Sequence, residues 1–142
     1  MQKLIGKNMF EQSLFAQCEC GQEIIEFGED EGEYFICYHS WYDRKLDRYS
    51  DFTFADKGAF AELVGKMRDF IRDVPDNTPL ILIDKYLSYK NKLPGALTVD
   101  YDDYCVSIRK YARYDKRKES TWEILFKKEE AEQIVNELDN WR

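Results

Sequence analysis

Apolar residues at Phe60, Leu63, Val64, Met67 and Phe70 recur at the three- and four-residue spacing of one helical face. The spacing returns at Ala131, Ile134, Val135, Leu138 and Trp141, each 71 positions further along a chain of 142 residues. Each stripe follows a short alternating segment, with Phe52 and Phe54 before the first and Ile124 and Phe126 before the second. These last segments match at an offset of 72, a one-residue slip against the helices. The pattern predicts a duplicated unit in which antiparallel strands end in one amphipathic helix.

The remaining elements follow from alternation and turn residues. Residues 9–16 and 22–28 read as the first two strands, and the glycine-flanked acidic run 28–32 reads as a turn. Residues 34–42, dense in aromatic and β-branched side chains, form a long third strand. A charged loop over 43–49 leads to the short strand carrying Phe52 and Phe54. Asp56 is a good N-cap for a helix reaching about Val74, where Pro75 stops it. In the second half, 80–87, 97–101, 104–111 and 121–126 are strands, with turns at 91–95 and at Asp102-Asp103, and the last helix covers about 128–141. The expectation is a single α+β domain of two pseudo-symmetric ββββα repeats, about 1–75 and 76–142, with antiparallel sheets each covered by one helix.

Composition narrows the class. With 44% apolar and 35% charged residues, the chain is too hydrophobic for disorder and too charged for a membrane span. The longest apolar run, 80–83, is far short of a bilayer, and no apolar stretch follows the N-terminal lysines as in a secretory signal. Both points imply a cytoplasmic protein without membrane contact, as monomer or homodimer. The net charge of −7 is unevenly spread. Seven acids and no base lie between Glu19 and Glu33, whereas six bases and one acid lie between Arg109 and Lys118. Clustered charge of this kind steers partners more than net charge does.

The ββββα-ββββα order and repeat length resemble the Whirly and Pur-alpha families, duplicated sheet-and-helix proteins that bind single-stranded nucleic acid. The stretch Cys18-Glu19-Cys20-Gly21-Gln22-Glu23-Ile24-Ile25 resembles the opening of small phage and prophage proteins. That likeness implies no chemistry.

Catalytic and metal patterns are poor. Cys18, Cys20, Cys37 and His39 invite zinc, but a hairpin turning near residue 30 sets Cys37 opposite Ile24 and Cys20 opposite Trp41. That leaves the two ligand pairs roughly 13 Å apart at strand rise, against about 2.3 Å from metal to ligand. The single histidine, scattered glycines and absent HExxH or GxSxG patterns give no enzyme signature. No cofactor, metal or catalytic residue is therefore expected.

Two surface signals remain. Tyr38, Trp41, Tyr42 and Arg44 interleave aromatic and basic character, and so do Arg109, Tyr111, Arg113, Tyr114, Lys116 and Arg117. Such mixtures stack bases and hold phosphates, or anchor protein interfaces. The acidic turn of Glu29, Asp30 and Glu31 would steer a cationic partner toward Tyr34, Tyr38, Trp41 and Tyr42. The favoured reading is an acidic, non-enzymatic protein-interaction module, such as a phage-type inhibitor or immunity protein acting on a basic protein partner. The alternative is a binder of single-stranded DNA or RNA, although a pI near 4.8 has the wrong sign for phosphate affinity.

Overall fold

The computed structural model of the chain describes residues 2–7, 22–42, 45–75, 78–90 and 92–141. Its first half is an antiparallel sheet of β1 (Gln2–Lys7), β2 (Gln22–Asp30), β3 (Glu33–Tyr42) and β4 (Lys45–Thr53), in that spatial order. Helix α1 (Lys57–Ile71) follows. The second half repeats this with β5 (Leu80–Leu87), β6 (Pro94–Tyr101), β7 (Cys105–Tyr111), β8 (Trp122–Lys127) and α2 (Lys128–Leu138). The fold is α+β, built of two ββββα units.

Inward positions repeat at an offset of 72. Ile36 lies between Phe27 and Phe52 across the first sheet, and Ile108 lies between Val99 and Ile124 across the second. The helices keep the offset of 71, so the slip falls at the strand–helix junction. Phe54 to Phe60 spans six positions, with Asp56 as N-cap, whereas Phe126 to Ala131 spans five. There β8 runs directly into α2 through Lys127.

Neither half closes on itself. Helix α1 packs against α2 and reaches β5 and β6, while α2 reaches β1 as well as its own β8. Phe60 stacks on Trp141 at 6.0 Å between ring centroids, and Arg68 pairs with Asp139 at 2.5 Å. Both apolar stripes thus enter one core with the inward residues of both sheets.

Several expected boundaries move. The expected strand at 9–16 lies outside the described residues, and β1 takes the first position. Of the loop expected at 43–49, residues 45–49 are instead the start of β4, since Arg48 and Tyr49 pair with Ser40 and His39, and residues 43 and 44 lie outside the described residues. The long β3 offers unpaired backbone there, and pairing with it outweighs the charged composition. The β2–β3 turn is confined to Glu31 and Gly32, at φ 52° and 83°. Pairing across it sets Cys37 opposite Glu26 and His39 opposite Ile24, two residues from the expected register. Helix α1 ends at Ile71 because Asp73 turns left-handed at φ 56° before Pro75.

Candidate protein-binding surface

The acidic turn is exposed at Asp30 and Glu31, while Glu29 accepts a hydrogen bond from the Gly32 amide at 3.3 Å. Two residues on, Glu33 accepts from the Tyr86 hydroxyl at 2.6 Å and the Lys85 ammonium at 2.9 Å. These bonds, Tyr86 first and Lys85 second, hold the Glu33 carboxyl below its usual range. They also moor the acidic turn of the first half to β5 of the second.

The expected aromatic anchors divide by strand parity. Tyr34 and Tyr38 are core residues, which corrects their reading as surface contacts. Tyr34 stacks on Phe60 at 4.5 Å. Tyr38 stacks on Trp122 at 5.0 Å, lies beneath the Arg48 guanidinium, and donates its hydroxyl to Glu23. Burial, then Glu23, pushes the Tyr38 hydroxyl up to about 12. Trp41 is on the opposite, outward face, stacked on His39 at 5.4 Å, and His39 meets Tyr49 edge-on at 5.1 Å. Arg44 and the Tyr42 side chain lie outside the described residues.

Four bases of the basic stretch have partners within the fold. Arg109 is held between Glu123 and Asp100, and Arg113 forms two hydrogen bonds with Asp115 at 3.0 and 2.7 Å. Lys110, between them, points inward and is buried. Arg117 lies over the Tyr114 ring at 5.0 Å and donates to its backbone carbonyl. Tyr111 is half-buried, and Lys116 is exposed. From the other basic stretch, Arg48 donates to the Thr121 carbonyl at 3.4 Å. Partners within the fold thus engage Arg48, Arg109 and Arg113.

A different surface emerges at β5. This strand pairs with β6 and with no other strand among the described residues, leaving its outer edge unpaired although β4 approaches it at Thr53. Leu80 and Leu82 face the core, but Ile81 and Ile83 point outward, the latter 44% exposed. At the strand's last residue Leu87 is 64% exposed, and beyond it Tyr89 is 99% exposed and Leu93 joins them. Edge strands are ordinarily guarded by charge or proline, since an open apolar edge recruits another chain. On β5 the charges Asp84 and Lys85 are both engaged within the fold, and Ile81 and Ile83 stay uncovered. The sequence does not separate this strand from a fully buried one, because Leu80 to Ile83 is apolar on both faces. Pro79 before the strand and Asp84 and Lys85 within it are the only signals of an edge in the sequence.

Among the described residues, no group of histidine, cysteine and carboxylate side chains could hold a metal ion. No helix among them is long and apolar enough to cross a membrane. No family model, characterised protein or solved structure matches this chain at a significant level.

Proposed function

We propose that this chain is a non-enzymatic protein-interaction module, of the inhibitor or immunity type, that takes a basic protein partner along β5. The single observation that carries the reading is the open edge of β5, with Ile81, Ile83 and Leu87 uncovered, moored to the acidic Glu29–Glu31 turn through Glu33. An extended segment of the partner would add as a strand, drawing affinity from backbone hydrogen bonds and specificity from alternate side chains. The acidic turn would attract the partner's cations and raise the association rate at low salt. Copies of this chain, all carrying that turn and a net charge of −7, would repel one another at the same edge. The free thiols Cys37 and Cys105 suit a reducing setting such as the cytoplasm.

The test is affinity capture at low salt with the full chain, using an Ile81→Lys/Ile83→Lys variant and an Asp30→Lys/Glu31→Lys variant as controls. The expected result is a basic protein that rebinds when purified, is lost with the β5 variant, and associates more slowly with the turn variant. A partner indifferent to both variants, or none at all, overturns the reading.

A second reading has one observation of its own: Trp41, His39 and Tyr49 present stacked rings on the outward face of β3 and β4. Single-stranded nucleic acid is bound by rings on sheets, as in the Whirly and Pur-alpha families that the repeat order resembles. Fluorescence anisotropy with oligo-dT and oligo-rU separates the two, since nucleic-acid binding would fall steeply with salt and with Trp41→Ala while ignoring Ile83→Lys.

A further inference from the structure

Between β4 and the second sheet lies a cleft of about 430 Å³, within the size range of small-molecule sites. Tyr49, Tyr86 and Tyr89 stand at its walls, and Lys110 and Asp84 line it. It adjoins the docking edge but is a separate opening.

The two repeats differ at one pair of matched positions beside this cleft. In the first half, Tyr38 spends its hydroxyl on Glu23. The offset of 72 sets Lys110 where Tyr38 stands and Gly95 where Glu23 stands. Glycine offers no partner, and a Cβ there would meet the Lys110 Cε and the Tyr111 carbonyl oxygen, each at 2.9 Å. Lys110 therefore crosses Gly95 and donates to the Asp51 carbonyl at 2.8 Å. That is its one hydrogen bond among the described residues, and an ammonium carries three donors. Asp84 shows the complementary deficit. Its Oδ1 accepts from the amides of Tyr86 at 3.1 Å and Thr53 at 3.3 Å, while Oδ2 has no partner among the described residues.

A buried donor and a half-buried acceptor thus line one cleft, too far apart to count as an ion pair, each with unspent capacity. Charged groups drawn partly out of water gain from a ligand that completes their hydrogen bonds. An anion would be repelled by Asp84, and a cation by Lys110. We propose that this cleft binds a small ligand through a neutral carboxamide, whose carbonyl accepts from Lys110 and whose N–H donates to Asp84. Its ring or apolar body would rest against the tyrosine walls. Burial lowers the Lys110 ammonium pKa and raises that of the Asp84 carboxyl, as two desolvated groups require.

The experiment is an amide-resolved NMR titration of the full chain with benzamide, benzoate and benzamidine, which share a ring and differ in charge. Saturable shifts at Gly95, Ala112 and Thr121 are expected with benzamide, with the two charged probes about tenfold weaker, the loss of one hydrogen bond to a charged group. Equal or tighter binding of benzoate or benzamidine overturns the proposal, as does the absence of saturable benzamide shifts at the cleft. Lys110→Met should weaken benzamide by about tenfold or more. Should that variant not fold, Tyr89→Ala removes an exposed wall, and unchanged benzamide affinity in it overturns the proposal.

Discussion

The two halves share one template and close it differently. In the first, Tyr38 and Glu23 join by a hydrogen bond beneath the Arg48 guanidinium. In the second, Lys110 and Gly95 stand at the matched positions, and Lys110 reaches across to the Asp51 carbonyl and lines the cleft. The helix starts differ likewise. Asp56 caps α1, its carboxylate accepting from the Ala59 amide at 2.8 Å, whereas α2 begins at Lys127 without a side-chain cap. The outward faces differ as well: β3 and β4 carry paired rings, and β5 carries bare isoleucines. One repeated framework thus carries different chemistry at matched positions.

The largest effect should come from breaking what the halves share. Leu63→Ala and its counterpart Ile134→Ala should each cost about 2–5 kcal/mol as buried truncations. Both should lower the midpoint of a single urea transition followed by circular dichroism, since each helix reaches the sheet of the other half. Two separate transitions would show that the halves fold independently. A smaller effect tests the helix starts. Asp56→Ala should cost about 1 kcal/mol in the same assay, and Lys127→Asp should gain about that or less, bringing the two starts into line.

The smallest effect is the pH dependence of the second half. Lys110 is fully proton-bound in the unfolded chain until pH nears 10.5, but burial releases its proton earlier in the folded one. Across the window between the lowered value and 10.5, the unfolded state holds the extra proton, so stability rises with pH. Asp84 acts at the acid end in the opposite sense. Between 3.8 and its raised value the folded state holds the extra proton, and stability falls as pH rises. Titration of isotopically labelled lysines should find Lys110 losing its proton before the exposed lysines. In Tyr38→Phe, which removes the hydroxyl bonded to Glu23 and keeps the ring on Trp122, that titration should stay in place.

The repeat was legible because periodicity survives substitution: Phe60 and Ala131 differ in size yet occupy the same helical face. The slip between 71 and 72 was visible as well, and the structure places it at the junction where Ala55 and Asp56 have a single counterpart, Lys127. The candidate site was far less legible. Tyr34, Tyr38 and Trp41 look alike in a row of aromatics, and only strand parity against the helices sends the first two inward. Arg109 reads as a free base because Asp100 and Glu123 are distant in sequence and become its neighbours only through pairing of β6, β7 and β8.

By itself, the order of apolar and polar residues determined the element types, the duplication and the two helical faces, because those depend on spacing along the backbone. Tertiary structure alone decided which face of each strand is wet, which charges are spent within the fold, and where the sheets leave an edge and a cleft. Exposure and hydrogen-bond satisfaction are properties of neighbours, and the neighbours of β5 and Lys110 come from elements many positions away.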